Sequence, residues 1–540
     1  MVSSMVVGAR LRRLLISLAI VIMTAYILQF LHPKAIMNVK TSNGNNTADI
    51  DTDAAHDPHK WSGIIGVGQS LSVGVQAPLF NRTAPVQAGL RLEDGDDLYD
   101  IELPHAASLR IVQLTEPFRK YVEGDQSYPD NIDGKTPHSS MAMQIAAMSM
   151  LETKQLFMTV HTTVGVSGAP IWDICKNGNL NSYAASMFEA QALTRLAKES
   201  GNKLEYDCIL LTHGEADAML SHTSYAEELV KMLRDYTEDL KHITGQVHAP
   251  IMILSQQQSS PPVPDVESAV IQAQWFVQTR SSNTIICAGP KYQYGYVEGA
   301  LHLPEGGYNR LGEKYGQVFY RTVVEKNPFI PLSPTKVTLK EPTTILVSFS
   351  IPVRPLSWNE ALPKPHQTVH TVWSLGRGFE VRDAHEREIN ITDVRILPND
   401  ELEIDLTPPF DLPLTLSYAM TIGRHDLGGS ISFGGSTSGR IGQLCDSDPL
   451  VGVGAETLEC EVINGSREVF NKEGFKRRTL FDRIMPANLA ITEFDKERPE
   501  RAVLHKPWLG SSGSHKLFFQ HDHRNHLVSF TLPVVDSSSL

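Results

Sequence analysis

The amino-acid sequence predicts an α/β domain with a parallel sheet, preceded by a transmembrane segment and followed by β-rich regions. Three observations lead to this prediction. An apolar run lies within residues 14–32, short apolar runs alternate with amphipathic stretches over residues 61–327, and helical periodicity is missing from the region that begins at residue 328. Strands that alternate with helices form βαβ units, and such units build a parallel sheet that helices cover on both faces.

The N-terminal apolar run is interpreted as a signal-anchor. Three arginines within residues 1–13 precede the run, which extends from Leu14 to Leu31 and spans about 27 Å as a helix, near the lower limit for a bilayer core. No small-residue cleavage site follows it. Because basic residues stay cytosolic, residues 1–13 are predicted as a cytosolic tail and residues 14–32 as the single transmembrane helix of a type II protein of the ER, Golgi or cell surface. The alternative, a cleaved signal peptide, predicts a secreted protein.

The chain after the anchor has features of a lumenal or extracellular glycoprotein. Residues 33–60 are polar and acidic and are predicted as a flexible stem. Asn-x-Ser/Thr sequons, the acceptors for N-glycosylation in secreted proteins, begin at Asn45, Asn81, Asn390 and Asn464. Both features agree with translocation of the residues that follow the anchor.

Composition excludes several classes of partner and site. The 48 basic and 61 acidic residues give a net charge of −13, which disfavours a nucleic-acid partner because phosphate contacts need a basic surface. The chain has 5 cysteines and no Cys-x-x-Cys pair, so a zinc ribbon or a thioredoxin-type site is excluded. The histidine-rich stretch at residues 521–526 lacks a defined ligand spacing and is interpreted as a polar loop, and no metal site is predicted.

The α/β domain is predicted over residues 61–327. Its strands are predicted from short apolar runs, which are Ile64–Val67, Leu156–Thr162, Cys208–Thr212, Pro250–Ser255 and Thr284–Ala288. Helices are predicted at the amphipathic stretches Ser182–Glu199 and Tyr225–Ile243, and a long terminal helix is predicted to begin shortly after His302.

Two β-rich regions are predicted after the α/β domain. Residues 328–424 carry short strand-like runs punctuated by prolines, which is typical of a β-sandwich-like module. These runs are Val337–Leu339, Thr344–Phe349, Leu402–Leu406 and Leu414–Met420. Residues 425–540 begin with a glycine- and serine-rich stretch and are predicted as an irregular β-rich region.

Three polar segments follow predicted strands or precede a predicted helix. They are Gly68-Gln69-Ser70, the run from His213 to Asp217, and His302-Leu303. Catalytic groups of open parallel sheets gather at the carboxyl ends of the strands, so we expect the three segments to meet at one edge. Because a serine hydroxyl becomes a good nucleophile when a histidine accepts its proton, Ser70 and His302 form a workable pair. The chain lacks a Gly-x-Ser-x-Gly elbow, which argues against a lipase-type α/β-hydrolase.

These three segments, in this order, resemble the SGNH (GDSL-like) hydrolase superfamily, in particular its carbohydrate O-acetylesterase (sialate O-acetylesterase-like) branch. The resemblance extends over residues 61–325 and implies an SGNH-type three-layer α/β/α domain that needs no cofactor. It further implies that Ser70 is the nucleophile, that His302 is the general base, and that oxyanion and substrate binding involve Gly68, Gln69, Gly168, Gly214 and Glu215. Asp217 belongs to the same His-Gly-Glu-x-Asp block.

The chain departs from the family pattern at the acid that orients the histidine. The family places an aspartate three residues before the histidine, and this chain has Gly299 there. Four alternatives remain open: Glu298 takes the role, Glu215 takes it, the enzyme uses a Ser–His dyad, or activity has been lost. Replacing the equivalent aspartate of a serine-protease triad lowers kcat by about four orders of magnitude.

The expected function is that of a serine esterase that removes O-acetyl or similar acyl groups from a carbohydrate through an acyl-enzyme. Its partners would then be an acylated glycan and the membrane. Two alternatives belong to other classes: a glycan O-acetyltransferase on the same fold, and a catalytically inactive carbohydrate-binding surface protein, which the glycine at position 299 would favour.

Overall fold

The computed structural model describes most of the chain from residue 59 onward. It describes residues 59–75, 77, 86, 89–93, 109–118, 134–259, 267–294, 301–362, 364–367, 370–421, 440–463, 466–470, 493–494, 502–503 and 513–536, with only the backbone for 451, 453–522 and 536. The predicted tail, signal-anchor and nearly all of the stem precede residue 59 and lie outside this part of the chain. Among the helices described, none combines the length and apolar character that a bilayer crossing requires.

In the described part of the N-terminal region, a sheet of 7 strands forms the centre. The strands are β1 (Lys60–Gly68), β2 (Gly89–Glu93), β3 (Arg110–Gln113), β4 (Thr159–Gly165), β5 (Lys203–Thr212), β6 (Ile251–Gln256) and β7 (Ile285–Pro290). Their order across the sheet is β3-β2-β4-β1-β5-β6-β7, and all neighbours are parallel except β2 and β3. The predicted parallel sheet is therefore confirmed, with an antiparallel strand at one edge.

Helices cover both faces of this sheet. They are α1 (His138–Glu152), α2 (Ile171–Ile174), α3 (Ser182–Glu199), α4 (His222–Thr244), α5 (Ala269–Arg280) and α6 (Glu305–Phe319). Successive strand residues face opposite sides, so Ile65 joins a buried core with α3, α4 and α5, whereas Ile64 joins a second core with α1 and α6. The domain thus has three layers, helices on a sheet on helices.

The predicted elements that the structure contains are those with a clear apolar run or a clear amphipathic pattern in the sequence. All five predicted strands are present as β1 and β4–β7, and α3 has the predicted bounds Ser182–Glu199. Helix α1 was not among the predicted elements because it buries polar side chains such as Ser139, Ser140 and Gln144 together with its apolar ones. A helix covered on several sides loses the apolar stripe by which an amphipathic helix is recognised.

The region after α6 is β-rich, as predicted. Its strands are β8 (Ser333–Glu341), β9 (Thr344–Ser350), β10 (Ser357–Trp358), β11 (Phe379–Arg382), β12 (Ile391–Ile396), β13 (Leu402–Leu406), β14 (Thr415–Tyr418), β15 (Leu444–Cys445), β16 (Val451–Ile463), β17 (Ser466–Phe470), β18 (Glu493–Phe494), β19 (Ala502–Val503), β20 (Gly513–Asp522), β21 (Phe530–Pro533) and β22 (Val535–Asp536). Sheets β12-β13-β9-β8-β22 and β11-β14-β21 contribute side chains to one buried core, which is a sandwich-like arrangement.

The C-terminal residues return to both preceding regions. Strand β21 pairs with β14 and β22 pairs with β8, so the end of the chain completes sheets that begin before residue 424. The histidine-rich stretch leads into this return. There His523 Nε2 lies 2.7 Å from Glu313 Oε2 of α6, and the buried Lys314 Nζ donates to the His523 carbonyl at 2.9 Å and to Asn525 Oδ1 at 2.6 Å. The domain boundary that the sequence predicts between residues 424 and 425 therefore remains a prediction.

Candidate active site

The Ser70 and His302 side chains meet at the carboxyl edge of the sheet. Ser70 follows β1, and His302 lies between β7 and α6, 232 positions later in the chain. Ser70 Oγ and His302 Nε2 are 2.7 Å apart, which is hydrogen-bond distance. The structure therefore brings together the two residues for which the sequence predicts nucleophile and general base.

A tight turn after β1 sets the position of Ser70. Gly68 has φ +153°, and a Cβ atom there would lie 2.0 Å from the Thr212 carbonyl oxygen of the neighbouring strand β5. The next residue, Gln69, donates its N–H to that carbonyl at 3.2 Å. Ser70 then begins a single 3-10 turn that ends at Ser72. Because the first N–H groups of a helical turn have no partner within it, the Ser70 N–H is positioned to donate to an oxyanion.

His302 is suited to accept a proton at neutral pH. Its half-buried position is the largest influence on the pKa and lowers it below 6.5, while the Glu215 carboxylate raises it and the Lys291 ammonium lowers it. A neutral imidazole that presents Nε2 to Ser70 as an acceptor carries its proton on Nδ1. Glu298, the predicted orienting acid nearest in sequence, lies outside the described residues.

The pH profile of ester hydrolysis should reflect this environment. Protonated His302 cannot accept the Ser70 proton, so activity is lost as the pH falls through the His302 pKa; because that pKa is lowered, the loss should occur below pH 6.5. The measurement is kcat/KM for p-nitrophenyl acetate against pH, corrected for spontaneous hydrolysis. The acid limb is the part of this profile in which activity falls with falling pH. A midpoint of the acid limb at or above the ordinary histidine pKa of 6.5 would contradict this expectation.

The loop after β4 carries Gly168 beside the Ser70 turn. This loop begins next to β1, since the Val166 N–H donates to the Gly68 carbonyl at 3.1 Å. Gly168 is exposed with φ +73°, and a Cβ atom placed on it would meet nothing within 4 Å. The space beside the Gly168 Cα is therefore open, and the role of Gly168 as oxyanion donor stays a prediction.

Two residues of the His213–Asp217 segment hold this loop in place. His213 Nε2 donates to the Ala169 carbonyl at 2.9 Å, while its Nδ1 lies 3.0 Å from the Tyr225 hydroxyl. Burial lowers the His213 pKa, which agrees with a neutral ring in this arrangement. Asp217 Oδ2 accepts the Ile171 N–H at 2.7 Å. His213 and Asp217 therefore fix the backbone on both sides of Pro170, directly after Gly168.

Gln69 and Glu215 form a buried network behind Ser70. Gln69 Nε2 donates to Glu215 Oε2 at 2.8 Å, and Gln69 Oε1 accepts the Ala216 N–H at 3.3 Å. Lys291 Nζ donates to Glu215 Oε1 at 2.5 Å, and the side chains of this lysine and glutamate are 0% and 2% exposed. The Gln69 and Glu215 side chains are enclosed by protein here. Among the described residues, the hydrogen bonds of Glu215 go to Gln69 and Lys291 and none goes to His302.

Lys291 was not among the predicted site residues. It follows β7 directly, so it has the same sequence signal as the other site segments, a polar residue at the carboxyl end of a strand. Gly214, which was predicted to take part in binding, has a packing reason to be glycine: with φ +127°, a Cβ atom there would lie 2.5 Å from Gln274 Nε2. Within the described part of the chain, no group of three or more His, Cys, Asp or Glu side chains is arranged to hold a metal ion.

Comparisons with known proteins find likeness only among solved structures. No family model and no curated protein matches the sequence. A carbohydrate acetylesterase from Xanthomonas citri is 10% identical with a TM-score of 0.41, over 67% of this chain and 75% of that one. A protein from Arabidopsis thaliana is 16% identical with a TM-score of 0.34, over 49% of this chain and 98% of that one. A carbohydrate acetylesterase from Sinorhizobium meliloti is 13% identical with a TM-score of 0.24, over 47% and 97%. Likeness at this level identifies neither a family nor a substrate.

Proposed function

We propose that this protein is a serine esterase that removes acyl groups, with O-acetyl groups on a carbohydrate as the substrate class. The contact of 2.7 Å between Ser70 Oγ and His302 Nε2 is the observation that carries the proposal. A serine at the start of a helical turn, a neutral histidine within reach and an open glycine loop are the parts that acyl transfer needs.

The chemistry follows from these parts. Ser70 Oγ attacks the ester carbonyl carbon while His302 Nε2 takes the hydroxyl proton. The N–H groups of Ser70 and Gly168 donate to the oxyanion, and the sugar hydroxyl leaves with the proton that His302 returns to it. Water, deprotonated by His302, then attacks the acyl-enzyme, which releases acetate and restores Ser70.

The carbohydrate part of the proposal is supported by exposed apolar side chains that follow two segments of the site. Trp172 is 49% exposed and follows the loop that carries Gly168, and Met219 is 76% exposed and follows Asp217. The Asp217 hydrogen bond to Ile171 joins these two loops. An exposed indole on the segment that directly follows the Gly168 loop offers a flat face for the C–H side of a pyranose ring. The predicted signal-anchor would present this surface to lumenal or cell-surface glycans.

Two measurements on the purified protein test the reaction. A fluorophosphonate probe should label Ser70, which peptide mass spectrometry identifies, and acetate should be released from at least one member of a panel of O-acetylated glycans. An inactive carbohydrate-binding protein would show no labelling. An acetyltransferase would be labelled but would release acetate slowly, and its acyl-enzyme would pass the acetyl group faster to the hydroxyl of an added sugar acceptor.

Trp172→Ala should separate glycan binding from ester chemistry. We expect KM for the acetylated glycan to rise about tenfold, which corresponds to roughly 1.4 kcal/mol, because the stacking surface is lost. The effect on kcat/KM for p-nitrophenyl acetate, which has no sugar ring, should be much smaller. Leu375→Ala, at an exposed apolar residue of the β-rich region, is the control. Equal losses on both substrates would argue against a sugar-binding role of Trp172.

A further inference from the structure

A buried ion pair lies directly behind the candidate nucleophile. Lys291 Nζ and Glu215 Oε1 are 2.5 Å apart, and the two side chains are 0% and 2% exposed. Lys291 comes from the end of β7 and Glu215 from the end of β5, so the pair joins two strand ends of the carboxyl edge. The second Glu215 oxygen accepts from Gln69, the residue next to Ser70.

Such a pair is not explained by fold stability alone. Removing a carboxylate and an ammonium from water costs several kcal/mol for each ion, and well-packed apolar residues of the same volume are often no less stabilising than a buried pair. The pair lies at the carboxyl edge of a parallel sheet, which is the edge where ligand and catalytic groups of such sheets gather.

We propose that Lys291 and Glu215 are positioning residues that hold Gln69, and through it the Ser70 backbone, in the geometry in which Ser70 meets His302. This inference rests on the proposed esterase function and adds Lys291 to its machinery. The Gln69 amide is held at both ends, because Nε2 donates to Glu215 and Oε1 accepts from Ala216. Its main chain is held to β5 at Thr212. Rotation of Gln69 would turn the Ser70 N–H and hydroxyl away from the reacting carbonyl.

The same pair also acts on His302 through its charge. Among the described residues, Glu215 and Lys291 are the charged groups that influence the His302 pKa, the carboxylate raising it and the ammonium lowering it. The two charges therefore oppose each other at the general base. Loss of one charge alone should move the pH at which His302 becomes protonated, in a direction set by the sign of the charge that is lost.

Three variants test this inference with p-nitrophenyl acetate as the probe substrate. Lys291→Met and Glu215→Gln should each lower kcat/KM about 100-fold, because displacement of a reacting group by about 1 Å has an effect of this size. The acid limb of kcat/KM should move to higher pH in Lys291→Met and to lower pH in Glu215→Gln. The Lys291→Met/Glu215→Gln double variant loses both charges, so its acid limb should return toward that of the wild type while its kcat/KM stays low.

Controls separate positioning from unfolding and from failure of the proposed function. Urea unfolding shows whether each variant is folded, and Glu215→Gln keeps the volume of the glutamate and one of its two acceptor oxygens. Lys314→Met removes another buried lysine, one that contacts the C-terminal residues, and should leave the acid limb unmoved. Wild-type protein that neither hydrolyses the ester nor reacts with the fluorophosphonate refutes the esterase proposal itself. The role of Lys291 and Glu215 is overturned in either of two cases when the wild type is active. In the first, the folded variants keep kcat/KM within threefold of the wild type. In the second, the acid limbs of the single variants move in the directions opposite to those expected.

Discussion

Ser70→Ala is expected to lower kcat/KM for acetyl esters by about four to six orders of magnitude. The substitution removes the only atom that could form the acyl-enzyme in the proposed mechanism, and the histidine 2.7 Å away loses its proton donor. Residual activity would come from the oxyanion donors, which remain on the backbone. The measurement is initial-rate kinetics with p-nitrophenyl acetate and with the best glycan substrate, together with fluorophosphonate labelling.

Ser167→Ala is the matched control for Ser70→Ala. Ser167 also stands in a Gly-x-Ser sequence, and it is exposed on the loop after β4. The control variant should keep both hydrolysis and labelling. If Ser70→Ala retains more than about a tenth of the wild-type rate, or if the probe still labels the protein, Ser70 is not the nucleophile.

His302→Ala is expected to have the second largest effect, a fall in kcat/KM of about four orders of magnitude. Without the imidazole, no described side chain accepts the Ser70 proton, and an alcohol is a weak nucleophile at neutral pH. The Ser70→Ala/His302→Ala double variant should be hardly less active than either single variant, because residues that act as one unit give non-additive losses.

The control for His302 is a histidine in another part of the fold. His385 is exposed in the β-rich region, with Nε2 3.5 Å from Asp411 Oδ2. His385→Ala should leave kcat/KM and the acid limb unchanged. Additive losses in the double variant, or a His302→Ala protein with normal activity, would mean that the two residues do not work together despite their proximity.

Part of the fold could be predicted from the sequence, and part of it could not. Strands β1, β5 and β7 were predicted because each is a short apolar run bounded by turn residues, and a buried parallel strand needs nothing else. Strand β3 was not, since Arg110–Gln113 is a half-exposed edge strand without a continuous apolar run. The pairing of β21 with β14 was also not predictable, because pairing between strands far apart in the chain leaves no local periodicity.

The same distinction holds for the individual residues of the site. Ser70 and His302 could be singled out because each lies beside a strand end or a helix start, where groups of a parallel sheet converge. Nothing in the local sequence connects Gln69 with Glu215, or Glu215 with Lys291. These contacts depend on the neighbouring positions of β1 and β5 and on the distance between β5 and β7 across the sheet.

The sequence by itself determined the α/β class and the β-rich region after it, and it singled out Ser70 and His302 as candidates, since these follow from periodicity and from residue chemistry at element ends. Only the tertiary structure decided that the two side chains lie within hydrogen-bond distance. It also decided that a buried lysine neutralises the glutamate behind them. The physical reason is that strand order and register, which bring distant residues together, result from packing of the whole domain.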